Sequence, residues 1–200
     1  MLDTAIRPLI DPPLNAAGRR LAAWGIGANA LTLAGLAVGL AAAVTTGLGE
    51  HGLALALIAA NRVLDGLDGA VARATGSTDF GGYLDLFCDF VFYASIPLGF
   101  AFARPEWALP AACLLAGFVL AGISFVGYAL AAGRRGLETR AQGEKSFYYQ
   151  AGLIEGTETI AFFVVVSLRP EWFAAAAYAF AVLCAITASG RLALGWRRFR

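Results

Sequence analysis

The chain has 200 residues, 59% hydrophobic and only 14% charged, with a mean hydropathy of +0.68; soluble domains run roughly 45–50% apolar and about 25% charged, so this composition belongs in a membrane. Fifteen basic against fourteen acidic residues leave a net charge of +1, without the broad basic field that gathers nucleic acid, and a nucleic-acid partner is not expected. The three cysteines, Cys88, Cys113 and Cys184, each sit in an apolar run and form no C-x-x-C pair, which argues against disulfides and thiolate metal sites.

In chain order, the opening MLDTAIRPLIDPPLN carries Asp3, Asp11 and three prolines where a signal peptide would need a basic start and an apolar stretch, so no cleavage is expected. From Asn15 to Trp24, Leu21 and Trp24 fall at helical spacing beside Arg19 and Arg20. This segment either lies in the membrane interface or simply extends the first span into the cytoplasm. A spanning helix takes about 20 mostly apolar residues. Leu21 to Gly49, Trp107 to Gly133 and Trp172 to Gly190 contain no Asp, Glu, Lys or Arg. Three further stretches, Gly52 to Arg73, Gly81 to Ala103 and Leu153 to Leu168, reach spanning length only by including ionisable residues near one end. The expected fold is therefore an all-α integral membrane protein, one domain over residues 1–200. Its six transmembrane helices are placed at about 27–48, 52–73, 81–103, 107–132, 153–168 and 172–194. Between them lie GLGEHG, ATGSTDF, ARPEW, GRRGLETRAQGEKS and SLRPEW, short breaks rich in Gly, Pro and charge.

Cytoplasmic segments keep an excess of Lys and Arg. With the N-terminus inside, Arg7, Arg19, Arg20, Arg73, Arg134, Arg135, Arg140, Lys145, Arg197, Arg198 and Arg200 fall on or near the cytoplasmic face, against Arg104 and Arg169 outside. Six spans return the C-terminus to the cytoplasm, as the basic WRRFR ending independently suggests.

Charges inside spans are costly and mark pathways or sites. The densest cluster is NRVLDGLDGAVARATGSTDFGGYLDLFCD. Asp65 and Asp68 are three apart and Asp85 and Asp89 four apart, spacings that put each pair on one helix face. The short hairpin between them predicts antiparallel neighbouring helices with all four carboxylates at one depth, on the cytoplasmic side. Four like charges in a dry space must either take up protons or be neutralised by cations. Hard oxygen donors with no His or Cys pair nearby suit Mg²⁺ or Mn²⁺, and four carboxylates suffice to bridge two ions, the apparatus for displacing a leaving group from phosphorus. Gly69, Gly81 and Gly82 let a ligand or a facing helix approach the backbone. Arg73 can pair with a site aspartate, bind phosphate, or serve as a positive-inside anchor.

The pattern Asp65-x2-Asp68-Gly69-x2-Ala72-Arg73-x7-Gly81-x3-Asp85-x3-Asp89 resembles the signature of the CDP-alcohol phosphotransferases, class I, membrane enzymes of phospholipid synthesis. The stretch from Arg73 to Gly81 is one residue shorter than usual for the family, a difference that falls in the hairpin turn. The segment Gly27 to Thr32, GANALT, is similar to the family's Pro-Asn-x-x-Thr entry to the first span, with Ala28 in place of proline. The resemblance implies that Asp65, Asp68, Asp85 and Asp89 bind two Mg²⁺ or Mn²⁺ ions and that Asp89 is also the general base. It further implies that Gly69, Ala72, Arg73 and Gly81, with Asn29 and Thr32, shape the site for the CDP group. In the reaction implied, an alcohol hydroxyl attacks the phosphorus next to the lipid of CDP-diacylglycerol and CMP leaves.

For the acceptor, a small polar alcohol, the basic loop offers Arg134, Arg135 and Lys145 to a phosphorylated polyol such as glycerol 3-phosphate or inositol phosphate; positive-inside topology explains the same residues. Glu155 and Glu158, with Thr157 and Thr159, offer acceptors for hydroxyls. GLIEGTETI is also similar to a Gly-x-x-Glu-Gly stretch of the branch that joins CDP-choline or CDP-ethanolamine to diacylglycerol. A rival reading, a non-enzymatic cation-binding membrane protein or transporter, is disfavoured because the outer halves of the spans offer no ionisable path. The family resemblance, with small-residue stretches such as AAAAYAFA, also implies a homodimer among membrane lipids. Trp24, Trp107, Trp172 and Trp196 lie near span ends, where interfacial indoles belong. His51 is assigned no catalytic role, and Cys88 is expected to pack against a neighbouring helix.

Overall fold

The computed structural model describes residues 2–136, 154 and 156–200, with side chains from residue 10 onward. Arg140, Lys145 and Glu155 therefore lie outside the described residues. Among the described residues there are helices and no strands: α1 Leu2–Ala23, α2 Ala28–Gly47, α3 His51–Thr75, α4 Asp79–Ala103, α5 Ala108–Gly133, α6 Gly156–Leu168 and α7 Phe173–Phe199. Short 3₁₀ turns at Pro105–Trp107 and Pro170–Trp172 lead into α5 and α7. Four helical stretches are long and apolar enough to cross a membrane: Ala28–Gly47, Asp79–Ala103, Pro105–Gly133 and Pro170–Phe199. The charges of α3 (Arg62, Asp65, Asp68 and Arg73) all fall from its middle onward, and α6 has only 13 residues.

The N-terminal segment is not an extension of the first span. Ile26 N–H donates to Leu21 O and Gly25 N–H to Ala22 O, each at 3.0 Å, with Gly25 at φ +79°. That pair of bonds closes the end of α1, and only a residue free of a Cβ takes this left-handed position cheaply. The chain then turns and starts α2 afresh. α1 instead lies on α3, where Gly18 meets Ala70 so closely that a Cβ on Gly18 would fall 2.6 Å from the Ala70 Cβ.

α2 buries a face of small residues, Thr32, Gly35, Gly39, Ala42, Ala43 and Thr46, at helical spacing. This face packs against both α3 and α4. α3 and α4 face one another across the acidic cluster through their side chains, with Arg62 of α3 3.1 Å from Asp89 of α4, while their backbones make their closest packing with α2. Small side chains on α2 let both helices approach it while leaving a cleft between them.

The core runs from Phe92, beside Arg62, to Phe100, Trp107 and Phe173. Phe100 stacks on Phe173 with ring centroids 4.2 Å apart, and His51 stacks on the other neighbour side of Phe100 at 5.5 Å. Trp107 tilts against both phenylalanines and is 5% exposed, so it is a core residue and not an interfacial anchor. Trp24, Trp172 and Trp196 are exposed, as interfacial indoles would be. Such aromatic pairs contribute about 0.5–1.5 kcal/mol each beyond the area they bury, and they hold α3, α4, α5 and α7 together.

Candidate active site

Three helices converge at the cleft. The middle of α3 brings Arg62, Asp65 and Asp68, the first half of α4 brings Asp85, Cys88 and Asp89, and the start of α2 brings Thr32 and Gly35; all line one small crevice of about 10 Å³. That is room for roughly one water-sized group. One carboxylate oxygen from each of Asp65, Asp85 and Asp89 lies within 4.8 Å of the others. Asp68 borders the same crevice but is buried and turned toward α2, where Thr32 Oγ1 donates to its Oδ2 at 2.7 Å. Thr32 thus sits on a carboxylate.

Two basic side chains not assigned from sequence, Arg62 and Arg191, lie within α3 and α7. Arg62 Nη2 donates to Asp89 Oδ1 at 3.1 Å, and Nη1 lies 3.6 Å from Asp65 Oδ2. Arg191, in α7, is 7% exposed, donates from Nη1 to Ala121 O at 3.2 Å and lies 5.5 Å from the ring centre of Phe125. Their sequence signal is that Arg62 opens the NRVLDGLD cluster and Arg191 ends the charge-free stretch from Trp172 to Gly190, places where a charge beside an apolar run asks for a partner.

Both arginines, with all four aspartates, Gly69 and Arg73, line a much larger cavity of about 1110 Å³. Its lining joins the carboxylates to apolar side chains, among them Phe118, Val119, Val164 and Val165. Gly156, Thr157 and Thr159 border it from α6.

Gly69 and Arg73 line the cavity, but several expected site residues make other contacts or lie away from it. Arg73 pairs with no site aspartate; its Nε and Nη2 donate to Asn15 Oδ1 of α1 at 3.1 and 2.9 Å. Gly69 lies under that guanidinium, and Ala72 is half-buried away from the cavity wall. Asn29 and Gly81 are brought together: a Cβ on Gly81 would fall 3.2 Å from Asn29 Oδ1, beside the Thr78 cap of α4. Arg134 is exposed, and Arg135 donates to the carbonyls of Arg198 and Phe199 at the end of α7, away from the cavity. Glu158 is half-buried in the first turn of α6 but does not line the cavity, whereas its neighbours Thr157 and Thr159 do.

Four carboxylates against one guanidinium leave the centre net negative. Hard oxygen donors gathered this closely, with no histidine on the crevice wall, fit divalent Mg²⁺ or Mn²⁺ better than zinc.

The model for CDP-alcohol phosphatidyltransferases matches residues 26–187. The chain belongs to the CDP-alcohol phosphatidyltransferase family. It is 45% identical over 197 residues to inner membrane protein YnjF of Escherichia coli K12, covering 98% of this chain and 96% of that one. It is 43% identical to archaetidylinositol phosphate synthase of Pyrococcus horikoshii over 97 residues, which are 48% of this chain and 52% of that one. Its fold is similar to that of phosphatidylinositol phosphate synthase PgsA1 of Mycobacterium tuberculosis. The PgsA1 structure with CDP-DAG bound aligns at TM-score 0.66 and 21% identity, over 92% of this chain and 93% of that one. The structure with manganese and citrate aligns at TM-score 0.64 and 21% identity, over 92% and 88%. This CDP-alcohol phosphatidyltransferase is thus a phosphotransferase of phospholipid synthesis, and its apolar helices make it an integral membrane enzyme. The membership bears out the resemblance carried by the aspartate pattern and sets aside the non-enzymatic reading.

Proposed function

We propose that this enzyme transfers the phosphatidyl group of CDP-diacylglycerol to a small phosphorylated polyol, releasing CMP, with two Mg²⁺ or Mn²⁺ ions held by Asp65, Asp68, Asp85 and Asp89. The observation that carries the reading is the four-carboxylate crevice, whose aspartates also line a large cavity together with many apolar side chains. A ligand that joins a diphosphate to acyl chains needs both kinds of lining. PgsA1 was solved with CDP-DAG and with manganese, which supports the donor and the metal class.

When bound, the metal would hold diphosphate oxygens and offset the charge on departing CMP. Asp89, its Oδ1 held by Arg62, has Oδ2 to take the proton from the attacking hydroxyl. Thr32 keeps Asp68 turned toward the crevice floor. Asn29 and Gly81, close together at the starts of α2 and α4, are read as the nucleotide end of the site. Arg191, with Thr157 and Thr159, supplies a buried cation and hydroxyls on the cavity wall suited to a phosphate and its polyol. In this role Arg191 takes the place assigned from sequence to Arg134 and Arg135. The phosphatidylinositol phosphate and archaetidylinositol phosphate synthases among the similar proteins support a phosphorylated polyol.

The chain is read as six spans, with α3 and α6 completing the four strongly apolar stretches and α1 lying in the interface. Both termini and the carboxylate centre face the cytoplasm, and two copies pair in the membrane. The decisive experiment gives purified protein Mg²⁺ or Mn²⁺, CDP-diacylglycerol and a panel of polyol phosphates and free alcohols. CMP release with a phosphorylated polyol is expected. A folded protein that releases CMP only from CDP-choline or CDP-ethanolamine with diacylglycerol, or from no pair, overturns the reading.

A further inference from the structure

Three side chains hold the Arg62 guanidinium by contacts that no bound ion would compete for. Nε donates to Asn61 Oδ1 at 2.8 Å, and the buried Asn61 is itself fixed by donating from Nδ2 to Gly35 O at 2.8 Å. The guanidinium carbon lies 4.5 Å from the ring centre of Phe92 and 5.7 Å from that of Tyr93, with Nη1 3.5 Å from the Tyr93 hydroxyl. Its remaining contacts are to Asp89 and Asp65, two of the three carboxylates whose oxygens come within 4.8 Å of one another. An arginine keeps its charge at any ordinary pH, and a partly buried charge is weakly screened by salt.

We infer that Arg62 is a built-in counter-cation of the carboxylate centre: it holds Asp65 and Asp89 together when no divalent ion is bound and, because its clamp keeps it in place, lowers the affinity of the centre for that ion. The inference rests on the metal-dependent reading above. Two carboxylates brought together in a half-buried cleft repel one another, and a guanidinium between them offsets that repulsion. The same positive charge opposes a divalent ion seeking the same oxygens. The negative diphosphate of an incoming donor reduces this opposition, so the ion is held best when the donor is present. Arg62 is a positioning residue, acting through Asp65 and Asp89.

The test reads Mn²⁺ affinity by electron paramagnetic resonance or calorimetry on the purified full chain without substrate, and the thermal midpoint after metal is stripped. Arg62→Gln should bind Mn²⁺ on the order of tenfold more tightly than wild type and melt at a lower temperature without metal. Arg62→Lys, which keeps a charge but not the fork, should fall between the two. Should Arg62→Gln prove too unstable to isolate, the double variant Arg62→Gln/Asp65→Asn removes the cation together with one carboxylate it offsets, and should recover stability toward wild type without metal. Unchanged or weaker Mn²⁺ binding in Arg62→Gln, or no recovery in the double variant, overturns the inference alone. A wild-type chain that binds no Mn²⁺ overturns the metal-dependent reading and this inference with it.

Discussion

Asp65 and Asp89 both face Arg62, one at 3.6 Å and the other at 3.1 Å, yet the proposed chemistry separates them. Asp89→Asn keeps the shape of the side chain and removes the proton acceptor, so turnover should fall by orders of magnitude while binding of CDP-diacylglycerol largely survives. Asp65→Asn should weaken Mn²⁺ binding and carry nucleotide binding down with it, because the diphosphate is held through the ions. Each substitution loses an ion pair but relieves repulsion among carboxylates, so both variants should remain folded. CMP release, Mn²⁺ titration and thermal unfolding of the two variants side by side check this. Near wild-type turnover of Asp89→Asn at saturating metal would remove it as the base. At this scale the four aspartates were legible because their three- and four-residue spacings fix a helix face whatever surrounds it. The roles of Arg73 and Thr32 were not, since Arg73 turns to Asn15, 58 positions away, and Thr32 turns to Asp68, 36 positions away.

Among the elements, α2 determines the width of the active-site cleft, since the backbones of α3 and α4 both pack on it and meet each other through long side chains such as Arg62 and Asp89. α1 closes onto the opposite side of α3 through the tight crossing at Gly18 and Ala70, with Leu14 filling the space over Gly66. A larger side chain at position 18 has no room there. Gly18→Leu should therefore lift α1 from α3, destabilising the protein by about 1–3 kcal/mol, and expose the α1–α2 turn to protease. Thermal unfolding and limited proteolysis of Gly18→Leu against wild type test the docking; an unchanged proteolysis pattern would mean that α1 does not need this contact. The helices were readable from apolar length and from Gly and Pro breaks. The separate identity of α1 was not, because Ala23 to Ile26 looks like a continuing apolar run until the bonds that cap Gly25 are seen.

For the whole molecule, two copies packed through small-residue helix faces would bury part of the broad apolar surface that residues such as Phe102, Ile123 and Leu192 expose on a single chain. Native mass measurement in mild detergent should give a species of twice the 20.8 kDa chain mass, and an active species that stays monomeric would refute the pairing. The sequence by itself determined the helical membrane class, the family and the acidic centre, because hydropathy and short spacings along a helix are local properties that survive any arrangement of the helices. α2 runs over Ala28–Gly47 beside the expected 27–48 stretch, while α7 runs on past 194 to Phe199. Only the tertiary structure decided that α2 packs against both acidic helices, that Trp107 belongs to the core, and that Arg62 and Arg191 face the cavity while Arg135 does not. Those outcomes depend on which faces of distant helices meet, and a charge within an apolar run acquires its meaning from the partner that packing brings to it.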